Sequence, residues 1–177
     1  GSISLAGERV RGPAPDRGML FQDYALFPWL SVLGNVSWAL EARGHPKAER
    51  ALRARQQLDR VGLSAFADAY PAELSGGMQQ RVALARVLAL EPRMLLMDEP
   101  FGALDAQTRE LMQEELTAIW QRDRRTVLFV THDIDEAVYL SDRVVVFSAR
   151  PGSVKADLSI PLPRPREPGL RKTAAYT

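Results

Sequence analysis

The stretch "RMLLMDEP", residues 93–100, decides the fold. Residues 94–97 form an unbroken apolar run, followed at once by Asp98 and Glu99. So short a run reads as a strand. Without polar alternation it is expected to be buried on both faces, as in a parallel sheet. "TVLFVTHD" repeats the pattern: a second buried strand is expected over 126–130, with His132 just beyond it. Helical spacing covers 106–121 and 134–140, and "RVVVFSA" predicts a further strand over 143–149. Strands alternating with helices define an α/β sheet.

Upstream, "ISLAG" reads as a short strand and "GERVRGPAPDRG" as a Gly/Pro-rich connection. "GMLFQ", ending in Gln22, is another short strand, and "DYALFPWL" an exposed loop. Three helices are expected next. The first spans 31–43 with Ser31 as N-cap. The second spans 46–61 with Pro46 in its first turn and an apolar face of Leu52, Leu58 and Val61. The third, 77–90, follows "LSGG" and stops at Glu91-Pro92. The segment 161–177 carries Pro161, Pro163, Pro165 and Pro168 and is expected to be extended or disordered.

Bulk properties narrow the function. Hydrophobic residues make up 46% and charged residues 25%, ordinary values for a globular chain. A net charge of +1 gives no basic footprint for nucleic acid. With no cysteine there is no disulfide, thiolate catalysis or cysteine metal site. No apolar run approaches the ~18 residues that cross a bilayer.

Ligands of open α/β sheets bind beyond the carboxyl ends of strands. Asp98 and Glu99 stand there. Strand alternation would point them to opposite sides, so one can hold Mg²⁺ and the other accept a proton from water. The plain alternative is that Asp-Glu-Pro starts a turn. His132 lands at the same edge, where an imidazole can donate to a phosphate oxygen. Gln22, at another strand end, can touch a metal-bound or attacking water. "LSGG" places glycine amides and a Ser hydroxyl at a helix N-terminus, a phosphate-binding arrangement; the alternative is a Ser cap followed by turn glycines.

Taken together and in this order, these pieces resemble the nucleotide-binding subunit of an ABC transporter. Gln22 resembles the Q-loop glutamine, and Leu74-Ser75-Gly76-Gly77-Met78-Gln79 the signature motif. Residues 94–99 resemble Walker B with its catalytic Glu, Gly102-Ala103-Leu104-Asp105 the D-loop, and His132 the switch histidine. "FQDYALFPWLSVLGNV", "GPAPDRG" and "SARPGSV…PLPRPR" are similar to the nitrate/sulfonate/taurine-type importer subgroup.

The resemblance implies a P-loop NTPase-like, mostly parallel sheet with an inserted α-helical signature subdomain. Its divisions would be a remnant of the N-terminal core (1–22), the helical subdomain (23–92), a RecA-like core (93–160) and a Pro-rich tail (161–177). It implies ATP and Mg²⁺ as ligands and a head-to-tail dimer in which Ser75, Gly76, Gly77 and Gln79 meet the partner's ATP. Asp98 and Gln22 would attend Mg²⁺, Glu99 the water and His132 the γ-phosphate, while Asp105 would link the two sites. Transmembrane permease subunits, an indirect solute-binding protein and a place on the cytoplasmic face of a bacterial membrane follow from the same resemblance. Tyr24, Phe27, Pro28 and Trp29 either dock the permease or pack on the helical subdomain.

The family's Walker A loop, G-x-x-x-x-G-K-[ST], has no counterpart in the 177 residues. Gly1 falls where the family's preceding segment ends in Gly, so the expectation is an N-terminally truncated chain that binds ATP poorly by itself. The rival readings are a non-transport ABC ATPase and a binding or regulatory module without a P-loop.

Overall fold

A computed structural model describes residues 1–173 and 176. Its centre is a three-stranded parallel sheet in the order β3 (Arg17–Leu20), β4 (Met94–Asp98), β5 (Thr126–Val130). The register aligns Leu20 with Met97 and Met97 with Phe129, and all three strands end at the same edge. The parallel α/β sheet expected from "MLLMD" is therefore present.

Burial on both faces is not. Leu20, Leu95 and Met97 are buried and Phe129 packs against them, but Met19, Leu128 and Val130 on the opposite face are exposed. Side chains alternate across the pleat, so a continuous apolar run puts half its residues on whichever face lacks a cover. In the described residues only one face is covered.

Before the sheet, β1 (Ser4–Leu5) and β2 (Glu8–Arg9) form a small antiparallel hairpin. Ala6 and Gly7 turn it with positive φ at both positions, which matches the twist of two-residue hairpins. The expected loop "GERVRGPAPDRG" thus begins as a strand.

Three helices stack next. In α1 (Val32–Ala42), Ser31 Oγ accepts from the Gly34 amide at 3.1 Å, the expected cap. α2 (Lys47–Arg60) follows Pro46. Its buried residues are Ala54 and Leu58, with Val61 just beyond, whereas Leu52 is 63% exposed. Ala54, Leu58 and Val61 recur at i, i+4 and i+7 on one face, and Leu52 falls off it. α3 (Gly76–Ala89) buries Val82 to Ala85 and Val87 to Ala89. A helix apolar nearly all round is enclosed; α3 lies between α1, α2, β3 and α4 (Ala106–Asp123). Each fully buried Leu or Val there contributes roughly 1.5–3 kcal/mol, so α3 is the keel that joins the helical layer to the sheet.

After β5 come α5 (Ile134–Leu140) and β6 (Arg143–Phe147). β6 does not join the parallel sheet. It pairs antiparallel with β7 (Val154–Ser159), a strand whose alternation of Val154, Ala156 and Leu158 is plain in hindsight. The Pro-rich segment is extended to Glu167 and then forms a 3₁₀ turn, Pro168–Lys172. It is anchored: Arg166 is only 3% exposed. No described helix is long and apolar enough to cross a membrane.

Candidate active site

β4 ends at Asp98, opposite Val130. Glu99 then leaves the strand with φ 42°, a left-handed conformation that costs a residue with a Cβ roughly 1–3 kcal/mol. Its amide donates to the Val130 carbonyl at 3.0 Å, locking this turn to the end of β5. The two acids are therefore separated by a left-handed turn and not by strand alternation, as the sequence suggested. Asp98 is exposed and Glu99 half-buried.

Because the turn is tied to β5, the residues after β5 arrive beside it. His132 Nδ1 lies 3.2 Å from Glu99 Oε2. Gly102 closes the turn, its amide bonded to the Glu99 carbonyl at 3.1 Å. A Cβ on Gly102 would sit 3.3 Å from Gln22 Nε2 and 3.8 Å from Glu99 Oε2. Gln22, Glu99 and His132, predicted from three separate strand ends, thus share one locality. A cleft of about 30 Å³, room for only about one or two waters, is lined there by Glu99, Gly102, Arg109, Thr131, His132, Asp133 and Glu136.

The turn is supported from below. Phe101 is buried and packs on Phe129, ring centroids 5.7 Å apart. Gln80 is 1% exposed and donates from Nε2 to the Pro100 carbonyl at 2.6 Å, fastening α3 to the segment after Glu99. On the far side, Arg86 donates to the Ala25 and Tyr24 carbonyls at 2.6 and 2.9 Å. Tyr24 and Ala25 both have positive φ, so Arg86 pins a strained loop just after Gln22. Burial lowers the Arg86 pKa. Asn35, fully buried, accepts from the Phe27 amide at 2.8 Å and donates to the Phe27, Leu30 and Ser31 carbonyls, fixing the same loop's exit. Phe27 stacks edge-on with Trp38 at 4.6 Å, while Trp29 is 70% exposed.

The signature residues occupy a different place. Ser75 caps α3, its Oγ accepting from the Met78 amide at 3.3 Å. Gly76 and Gly77 form the first turn, against the start of α4: a Cβ on Gly77 would come within 2.8 Å of Thr108 Cγ2. Gln79 spends its amide donor locally, on the Pro71 and Leu74 carbonyls at 2.9 and 3.3 Å. Asp105 caps α4, accepting from the Thr108 hydroxyl at 2.7 Å and the Thr108 amide at 3.0 Å. The Thr108 hydroxyl bond, then its amide, hold the Asp105 carboxyl below the usual range. Neither Ser75, Gly76, Gly77 nor Gln79 lines the Glu99–His132 cleft.

Sequence reasoning missed Gln80, Arg86, Asn35 and Glu136. Glu136 is 4% exposed and accepts from Thr131 Oγ1 at 2.6 Å and Gln113 Nε2 at 3.1 Å. Arg109 pairs with it at 3.9 Å, pairs with Asp133 at 3.5 Å and donates to the Leu104 carbonyl at 3.0 Å. Their polar identity within mostly apolar helical stretches is the sequence signal, and it does not name a partner.

With this geometry in hand, comparisons with known proteins agree on one family. The ABC transporter family profile matches residues 1–102. An uncharacterized ABC transporter ATP-binding protein of Methanocaldococcus jannaschii is 58% identical over 94% of this chain and 62% of its own length. The nitrate import ATP-binding protein NrtD of Synechocystis sp. is 53% identical over 98% of this chain and 65% of its own. The taurine import ATP-binding protein TauB of Pseudomonas putida is 52% identical over 90% and 61%. The chain belongs to the ABC transporter ATP-binding family, and it spans somewhat less than two thirds of the length of these relatives.

Proposed function

We propose that this chain carries the catalytic carboxylate, switch histidine and signature half-site of an ABC-type ATPase that energises uptake of a small solute of the nitrate, sulfonate or taurine kind. The observation that carries the reading is the pairing of Glu99 with His132 at adjacent strand ends, with Gln22 against the same turn. The signature glycines, on a separate helix outside that cleft, support the second element: Ser75, Gly76 and Gly77 act on ATP bound by another subunit.

Glu99 is the general base for the attacking water, and its contact with His132 orients the carboxylate. His132 is largely exposed; with Nδ1 turned to Glu99, its other nitrogen donates to the γ-phosphate in the doubly protonated ring, which carries a proton on both nitrogens. Asp98 fits Mg²⁺: one exposed carboxylate at a strand end suits an ion that keeps waters and substrate phosphates in its shell. When bound, Mg²⁺ neutralises charge on the β- and γ-phosphates. Gln22 reports on that ion and water to the loop 23–30. The grip of Gln79 on the Pro71 and Leu74 carbonyls gives it a supporting role in shaping the signature loop. Asp105, through its cap of α4 beside Gly77, connects the two half-sites.

The β- and γ-phosphates need a Walker A nest, which these 177 residues do not contain. ATP binding is assigned to a dimer of the family type, at the cytoplasmic side of the membrane, against permease subunits served by a solute-binding protein. The exposed Trp29, beside the Arg86-pinned loop, is the candidate docking point. The test is complementation between subunits. Natural gene product carrying Glu99→Gln and a second preparation carrying Ser75→Arg are each inactive. Mixing and re-assembling them restores ATP hydrolysis, because one of the two sites in the mixed dimer has both Glu99 and Ser75. No recovery from a mixture shown to contain mixed dimers contradicts the shared-site reading.

A further inference from the structure

The Pro-rich end of the chain grips α5 with three arginines. Arg166 donates from Nη1 to the Tyr139 and Val138 carbonyls at 2.7 and 3.1 Å, and Tyr139 OH donates back to the Arg166 carbonyl at 3.0 Å. Arg164 donates to the Leu140 carbonyl at 2.8 Å and stacks over Trp120 at 4.1 Å. These carbonyls belong to the last turn of α5, where the helix itself supplies no donors. The segment is thus a strap that completes the end of α5.

Arg171 continues past that end toward the site. Its guanidinium lies over Tyr139 at 3.8 Å and donates to Asp135 at 2.9 Å and to Gln113 Oε1. From Gln113 a chain of bonds runs inward. Gln113 Nε2 donates to Glu136 Oε1, and Thr131 Oγ1 donates to Glu136 Oε2. The Asp133 amide donates to Thr131 Oγ1 at 2.9 Å. Every link has one direction. Arg171 fixes which way the Gln113 amide faces. Glu136, buried and acceptor-only, then claims the Thr131 proton, which leaves the Thr131 lone pair to receive Asp133 N–H. Thr131 and Asp133 flank His132, whose 77% exposed side chain has little packing of its own to hold it at Glu99.

We propose that Arg171, Gln113, Glu136 and Thr131 are positioning residues for His132: a directional relay by which the C-terminal strap holds the imidazole at Glu99. The proposal rests on the role assigned to His132 above. It makes the strap a determinant of the chemical step and not of nucleotide affinity. Glu136 serves this better than it serves stability, since a buried carboxylate contributes little net stability even when it is well bonded.

The test uses the natural gene product and steady-state ATP hydrolysis, with His132→Ala as reference. Thr131→Val keeps the shape but removes the hydroxyl; Thr131→Ser keeps the hydroxyl. Thr131→Val is expected to lower kcat about tenfold with KM for ATP changed less than about twofold, and Thr131→Ser to restore kcat. Arg171→Met, outside the cleft, is expected to lower kcat about threefold at unchanged KM in protein whose thermal melt shows it folded. Both Thr131→Val and Arg171→Met should shift the His132 imidazole resonances. Wild-type kcat in folded Arg171→Met or Thr131→Val, with His132→Ala inactive, overturns the relay while leaving the ATPase reading intact. Full activity in His132→Ala overturns both.

Discussion

His132 Nδ1 stands 3.2 Å from Glu99 Oε2, although the two residues end different strands. The contact exists because the Glu99 amide is bonded to the Val130 carbonyl, so the turn after β4 and the exit of β5 move as one. A contact whose two residues are held together by backbone is preorganised, and positioned groups of this kind need little rearrangement when charge develops.

Gly102 is the point where this locality is tightest. A methyl there meets Gln22 Nε2 at 3.3 Å and the Glu99 carbonyl at 3.5 Å. Gln22 is the flexible partner and has to give way. Gly102→Ala is expected to leave stability within about 0.5 kcal/mol and lower kcat of the natural gene product about tenfold. Thermal melts and steady-state hydrolysis measure the two separately.

Gly77 has a structural requirement as well as a proposed phosphate contact. Alanine in a helix normally gains up to about 1 kcal/mol over glycine. Here its Cβ falls 2.8 Å from Thr108 Cγ2, and overpacking costs about 1–3 kcal/mol. The clash wins, so Gly77→Ala destabilises. Thr108→Ser removes the offending methyl but keeps the hydroxyl bonded to Asp105, and the double variant is expected to recover most of the loss in urea unfolding.

Asp105 makes the start of α4 sensitive to acid. Its carboxyl is held below the usual range by the Thr108 hydroxyl and amide. A depressed folded-state pKa adds stability above the unfolded-state value, and that stability is lost as pH falls through the folded value. The advantage of wild type over Asp105→Asn, which still caps but is neutral, should be present at neutral pH. It should shrink as pH drops below about 4. Paired melts across that range check the sign.

Local patterns in the sequence locate β4, α3, α4, β5 and α5, and Ser31 as a cap, because those features depend on neighbours a few residues away; the cap at Ser75 is the alternative that the sequence leaves beside a phosphate contact. The apolar runs of β4 and β5 predict burial on both faces, but composition cannot say which face meets another element, and Leu128 and Val130 of β5 are exposed. The placement of Leu52 failed for the same reason: the buried stripe of α2 passes through Ala54. The sequence predicts the strand at β6 but not its partner: β6 pairs antiparallel with β7, outside the parallel sheet.

At the site, Gln22, Glu99 and His132 were legible from their positions after short apolar runs. Arg86, Gln80 and Glu136 were not. Arg86 holds Tyr24 and Ala25, Gln80 holds Pro100, and Glu136 joins Gln113 to Thr131. Each is a polar residue whose partner lies far along the chain, so only the folded arrangement identifies it. The prolines of the tail predict an extended segment, whereas its arginines decide its placement.

The central claim is that Glu99 is the base for ATP hydrolysis. It is tested most directly by the turnover of the natural gene product, wild type against Glu99→Gln, with ATP binding measured in parallel. The account predicts a loss in kcat of at least about a hundredfold with ATP still bound. Near-wild-type turnover by the Glu99→Gln protein would contradict it.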